Sequence, residues 1–142
     1  MKKVMIFGTF DYFHAGHEDL IRQASLLGDY LIAVIARDEI VKKIKGKNPD
    51  HNAKQRMAVL KNHELVDKAV IGEKGDKHKV ILKYKPNIIA LGYDQFVFTY
   101  RLNKLIIDNN LATSIVRLEP YQPGMFKSSK IKAKLETEKT NT

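Results

Sequence analysis

Five short strand-like segments, three of them unbroken apolar runs, separated by stretches of helical spacing or polar sequence, constrain this chain more than any other feature. Val4-Met5-Ile6-Phe7 ends at Gly8, Leu31 to Ala36 and Ile88-Ile89-Ala90-Leu91 are similar runs, and Val66 to Ile71 and Ser114 to Leu118 read as two more strands with charged residues among the apolar ones. A continuous apolar run of this length reads as a strand buried on both faces of a parallel sheet. Between the first two, Leu20, Ala24 and Leu27 share one helical face with Ile21 beside them, and Gly28 stands where a helix stop belongs. Lys54 to Asn62 reads as a helix with Met57 and Leu60 inward, and Val80 to Tyr84 as part of another, ended by Pro86. Phe98, Leu102, Leu105 and Ile106 mark a long helix stopping near Asn109-Asn110. Arg37 to Asn52, lysine-rich and broken by Gly46 and Pro49, reads as a basic loop. Ser128 or Ser129 can cap a last helix to about Leu135. The expected fold is α/β: a Rossmann-like, doubly wound, mostly parallel five-stranded sheet. Residues 1–135 would form one domain and 136–142 a flexible polar tail.

Composition removes several classes of function. The 142 residues include no cysteine, which excludes disulfides, thiolate metal sites and cysteine nucleophiles. No apolar run approaches the ~18 residues of a membrane span. Met1-Lys2-Lys3 is followed too soon by Gly8-Thr9-Phe10-Asp11 for a signal peptide. The expectation is a cytoplasmic protein with no membrane partner. The net charge of +9 suits attraction to small anions. A nucleic-acid partner is not expected: the lysines are dispersed, and the one dense stretch, Lys42 to Lys47, holds no aromatic residue for stacking.

In a parallel sheet, ligands bind beyond the carboxyl ends of the strands. Unusual residues cluster there: Gly8 to His17 after the first run, Arg37 to Lys47 after the second, Gly72 after the third and Gly92-Tyr93-Asp94-Gln95 after the fourth. The strongest of these is Gly8-Thr9-Phe10-Asp11-Tyr12-Phe13-His14-Ala15-Gly16-His17. Gly8 would let the chain turn sharply after the strand. His14 and His17 straddle an Ala-Gly step where a helix begins, and free amides plus the helix dipole favour an anion there. Two imidazoles at that place can donate to phosphate oxygens. They could instead form part of a zinc site, for which no third ligand is evident, or simply accompany a helix cap.

The same ten positions resemble the signature of the nucleotidylyltransferase superfamily, His-x-Gly-His after the first strand, in its cytidylyltransferase-like form. A hydroxyl-bearing segment late in the chain, Phe126-Lys127-Ser128-Ser129-Lys130-Ile131, the basic loop after the second strand and Gln55-Arg56 add to the resemblance, which runs from about Lys3 to Leu135. It implies transfer of a nucleoside monophosphate from a triphosphate to an acceptor phosphate, with pyrophosphate leaving. His14 and His17 would then hold the α-phosphate and leaving group, and Gly8, Thr9, Phe10 and Gly16 would shape the triphosphate cradle. One or more of Lys43, Lys45 and Lys47 would reach the α- and acceptor phosphates, and Ser128 and Ser129 the β- and γ-phosphates. Asp11 would bind substrate or orient the loop; Arg56 would touch nucleotide or pin its helix. Magnesium is expected on the triphosphate, mostly water-ligated, with no metal site built from protein ligands. The superfamily also suggests a homodimer.

The acceptor is narrowed by departures from pattern. Cytidylyltransferases for glycerol-3-phosphate and choline phosphate carry Arg-Tyr-Val-Asp at the third strand and a late Arg-Thr-Glu. Here Glu64-Leu65-Val66-Asp67 stands at the first, and Pro123-Gly124-Met125-Phe126 precedes the serines. Ala36-Arg37-Asp38-Glu39-x-Val41-Lys42-Lys43-x-Lys45-Gly46 and Leu91-Gly92-Tyr93-Asp94-Gln95 look like the archaeal FAD synthases, which join AMP from ATP to FMN. Gly92 would let a base approach the strand end, with Asp94 and Gln95 beside it. The expected reaction is ATP plus FMN to FAD plus pyrophosphate. Tyr12, Tyr93, Phe96, Tyr121 and Phe126 are candidate walls for the flavin ring. The alternatives are a cytidylyltransferase that makes a CDP-alcohol from CTP and a polyol or choline-like phosphate, and a nucleotide-binding regulator without turnover.

Overall fold

The computed structural model describes residues 1–72, 78–92 and 97–121. In chain order these form β1 (Lys3–Gly8), α1 (Ala15–Ser25), β2 (Tyr30–Ile35), α2 (Asp38–Lys45), α3 (Ala53–Lys61), β3 (Lys68–Ile71), α4 (Lys79–Tyr84), β4 (Ile88–Leu91), α5 (Val97–Asp108) and β5 (Ser114–Arg117). The strands make one sheet in the order β3-β2-β1-β4-β5, and every pair is parallel. This is the Rossmann-like α/β fold expected from the apolar runs.

Alternation along each strand sorts the core into two halves. Val4 and Ile6 of β1, Leu31, Ala33 and Ile35 of β2 and Ala90 of β4 share a buried cluster with Ile21 and Ala24 of α1 and Leu60 of α3. Their strand neighbours Met5, Ile32, Val34, Ile89 and Leu91 pack with Val80 and Ile81 of α4 and Leu102 of α5. A strand buried on both faces needs no polar alternation, which is why β1, β2 and β4 were legible as unbroken apolar runs.

The order reverses between β1 and β4, the switch point at which such sheets open a crevice. β1 registers with β2 along its whole length, from Lys3 opposite Tyr30 to Gly8 opposite Ile35. With β4 it registers only at Val4–Ile88 and Met5–Ile89. Beyond Met5 the two central strands part, and their carboxyl ends, at Gly8 and Leu91, frame a gap.

Three details differ from the expectation. Arg37 to Asn52 is not a continuous loop, because Asp38 to Lys45 is the helix α2. Ile40, Val41 and Ile44 share one face, but only Val41 of its eight residues is buried. Its ends stabilise it instead: Asp38 and Glu39 sit at the positive end of the dipole and Lys42, Lys43 and Lys45 at the negative end. Gly46, left-handed at φ 80°, closes it by donating to the Lys42 carbonyl. Second, β3 begins at Lys68 rather than Val66; Asp67 caps the edge by accepting from the Leu31 amide at 2.8 Å. Third, Gly28 does not stop α1 by a left-handed turn; the capping residue is Leu26, in ordinary helical geometry. Gly28 is needed for a close approach to β1. A Cβ there would lie 2.7 Å from the Lys2 carbonyl oxygen and 2.8 Å from Val4 Cγ2. The expected last helix with its serine cap, and the polar tail 136–142, lie outside the described residues.

Because the nearest obstacle at Gly28 is backbone, Gly28→Ala is expected to cost about 1–3 kcal/mol. Urea unfolding followed by circular dichroism would read this as a lower midpoint at unchanged slope.

Candidate active site

The β1–α1 loop is anchored into the core before it reaches the histidines. Phe10 adopts φ 53°, a left-handed backbone that costs an aromatic residue roughly 1 kcal/mol. Its ring is buried in the cluster shared with α1 and α3. Gly8 makes room for it: a Cβ would stand 2.6 Å from the Phe10 ring. The sharp turn expected at Gly8 is therefore made at Phe10, and Gly8 serves by lacking a side chain.

The rest of the loop is tied to the segment between α2 and α3. The Asp11 carboxylate accepts the amides of Asp50 and His51, each at 2.9 Å, and lies 3.1 Å from His51 Nδ1. Desolvation raises the Asp11 carboxyl, but these hydrogen bonds outweigh it and hold it below its ordinary value. Tyr12 donates to Asp50 at 2.5 Å and meets the His51 ring edge-on. Arg56 is 1% exposed. Its Nε donates to the His51 carbonyl at 2.9 Å, Nη1 to the Thr9 carbonyl at 2.8 Å and Nη2 to Asp38 at 2.8 Å. Of the two roles expected for Arg56, these contacts support the pinning one. Thr9 takes part through its carbonyl, and Asp11 orients the loop.

His14 and His17 form a capping box. His14 is the N-cap of α1; its Nδ1 accepts the Gly16 amide at 3.0 Å, while His17 Nδ1 accepts the His14 amide at 3.3 Å. The rings stack with centroids 3.8 Å apart. The His-x-x-His spacing is the N-cap to N3 spacing that serine and glutamate usually fill. An accepting Nδ1 leaves a ring hydrogen on Nε2, and on His17 that is the hydrogen available to the Tyr12 backbone. Burial pushes the His17 imidazole down to about 4, with repulsion from His14 and Lys45 adding to it and a hydrogen bond to the Tyr12 backbone opposing it. His17 is therefore a neutral donor at physiological pH. Gly16 is required by the same arrangement, since a Cβ would stand 2.8 Å from His14 Cε1.

A pocket of about 380 Å³ opens at the parted ends of β1 and β4. Gly8, Phe10, His14, Gly16, His17 and Gly92 all line it, so the structure unites these six expected residues. Of the two candidate flavin walls among the described residues, Tyr121 lines it too, and Tyr12 faces His51 instead. Thr9, Asp11 and Arg56 are not among its lining residues; they join the loop to the segment between α2 and α3. Lys45 lies four positions from the buried Val41, on the inward side of α2, and acts electrostatically on His17. Lys43, two positions from Val41, falls on the opposite side. Asp94, Gln95, Ser128 and Ser129, and the aromatic candidates Tyr93, Phe96 and Phe126, lie outside the described residues. Sequence reasoning missed His51 and the Asn52–Gln55 capping box of α3, whose Asn-x-x-Gln spacing was there to be read.

Capping and donation can be separated by His17→Gln, because glutamine suits the N3 position of a capping box. This variant should stay folded while turnover falls by about 10²-fold or more. The unfolded chain takes up a proton near pH 6.5 that folded His17 takes up only near 4. Wild-type stability therefore declines as pH drops through that window. Melting temperature against pH should lose that part of its slope in His17→Gln.

Comparison with known proteins agrees with this geometry. Residues 5–134 match the family model described as cytidylyltransferase-like. The FAD synthase of Thermoplasma volcanium is 35% identical over 95% of this chain and 94% of its own length. That of Pyrococcus abyssi is 40% identical over 91% of this chain and 88% of its own. A solved structure from Thermoplasma volcanium, described as a lipopolysaccharide core biosynthesis protein, superposes with TM-score 0.79 at 36% identity, covering 86% of this chain and all but 1% of that one (99%). Pantoate-β-alanine ligase from Francisella tularensis shares the fold, with TM-score 0.59 at 19% identity over 93% of this chain and 65% of its own. The chain thus belongs to the cytidylyltransferase-like nucleotidyltransferases, in the group that contains these FAD synthases.

Proposed function

We propose that this enzyme transfers AMP from ATP to FMN, giving FAD and pyrophosphate. The observation that carries the mechanism is the pair of imidazoles held at the start of α1, where the sheet opens. The FMN phosphate oxygen attacks the α-phosphorus, forming the new P–O bond as the bond to the β-phosphate oxygen breaks and pyrophosphate leaves with its electrons. No proton need move, because the acceptor is already an anion. What is needed is alignment of two anions and stabilisation of charge on the α-phosphate and leaving group. His14 and His17 supply donors fixed beforehand by the capping box, and the α1 dipole adds to them. Lys45 brings positive charge to the same end. Tyr121 offers an aromatic wall. In this reading Ser128 and Ser129 meet the β- and γ-phosphates, Asp94 and Gln95 the base, and one lysine of the 42–47 stretch the acceptor.

Magnesium would keep most of its water and ride on the phosphates; Asp19, which lines the pocket, has its two carboxylate oxygens engaged by Arg22 and Gln23. Bound there, the ion would neutralise triphosphate charge. Residues 1–135 are proposed as the catalytic domain of a cytoplasmic homodimer with no nucleic-acid or membrane partner. Among the described residues no helix is long and apolar enough to cross a membrane.

A CDP-alcohol-forming cytidylyltransferase is the competing reading, kept open by the cytidylyltransferase-like description of the family model. The two are separated by pyrophosphate release at equal enzyme and salt. ATP with FMN should be the good pair, lost with a chelator and restored by magnesium; CTP with glycerol-3-phosphate or phosphocholine should be poor. A clear preference for CTP would overturn the flavin assignment.

A further inference from the structure

Behind the capping box lies a second, smaller arrangement that the mechanism above does not use. Glu18 follows His17 in the first turn of α1. Its carboxylate is hydrogen-bonded by His63 Nε2, 2.8 Å from Oε2 and in contact with Oε1 as well. His63 stands in the α3–β3 turn and is held there from several sides. Its amide donates to the Leu60 carbonyl at 3.1 Å and its carbonyl accepts from Val66 at 3.2 Å. Its Nδ1 accepts the Leu65 amide at 3.1 Å, which leaves the ring hydrogen on Nε2, pointed at Glu18. Leu60 and Val66 belong to the core, and the His63 side chain is 13% exposed. The post is rigid; Glu18 is the movable end of the pair.

Phe13 connects this pair to the site. Its ring centroid lies 5.6 Å from that of His17 and 5.9 Å from that of His63, a wedge between the two. Arg56, on α3, holds the loop at Thr9; His63, just beyond the end of α3, holds it at Glu18. The histidine loop is thus gripped at both ends by one helix and the turn that follows it.

We propose that Glu18 and His63 are a positioning pair that, with Phe13 as spacer, fixes where the His17 ring sits at the start of α1. This rests on the assignment of His17 as a donor in AMP transfer. An exposed ion pair by itself contributes little to stability. The pair acts through geometry, where small displacements of a donor cost rate rather than binding.

The experiment compares Glu18→Ala, His63→Ala, the double variant and Glu18→Gln, which keeps an oxygen to accept from His63 Nε2. Each alanine variant should lose about 10- to 100-fold in kcat with the KM for ATP little changed. The double variant should be no worse than either single one. Glu18→Gln should stay near wild type. A readout without substrate is the NMR shift of the His17 ring protons at pH 8, which the neighbouring Phe13 ring influences; it should match the wild type in Glu18→Gln and move in the alanine variants. Unchanged kcat with an unchanged His17 spectrum overturns the proposal, as do additive losses that merely track melting temperature. A wild-type protein inactive with FMN would overturn the flavin assignment instead, while the His17 spectrum still decides the pair.

Discussion

A guanidinium buried from water organises the ligand end of this molecule. Arg56 is a charged side chain with almost no access to solvent, and such a group is tolerable only if its donors are met. They are met by three separate pieces of chain: the loop after β1, the segment before α3 and the start of α2. Removing it would leave two carbonyls short of a partner and a cavity in their midst, so those three pieces hold their places only together. Asp11 reinforces the arrangement by accepting amides across the same junction. The site is therefore assembled on an electrostatic knot, and the sheet supplies the floor beneath it.

On that foundation the histidines do two things at once. A helix beginning in a loop has amides with no partner, and His14 and His17 satisfy two of them through Nδ1. The same bonds fix both rings at the pocket, where the His17 ring is also hydrogen-bonded to the Tyr12 backbone. Neither ring can rotate or change tautomer without uncapping the helix. The Ala-Gly step between them is part of the device, since any side chain at Gly16 would collide with the His14 ring.

Much of the sheet was readable because strands buried on two faces leave a simple trace, as in Val4 to Phe7 and Ile88 to Leu91. The histidine loop was readable because glycines and histidines are rare enough together to mark a site. What escaped depends on contacts distant in sequence. α2 has one buried residue and is held by its ends. Gly28 faces a carbonyl of β1 that no local pattern announces. His51 and His63 act through partners 40 and 45 positions away. Arg56 could be found from sequence but not its role, because the carbonyls it meets come together only in the folded chain.

Phe10 carries a consequence of its own. Active-site loops usually belong to the least protected part of a protein and open locally while the remainder stays folded. Here the loop sends an aromatic ring into the same buried cluster as Val4, Ile6, Ile21 and Leu60. Lifting the loop would mean extracting that ring from the core. The backbone amides around the histidines should accordingly exchange with solvent only in openings that also disrupt α1 and α3. Such an enzyme admits its substrates to a site already formed, and loses that site only when it loses its fold.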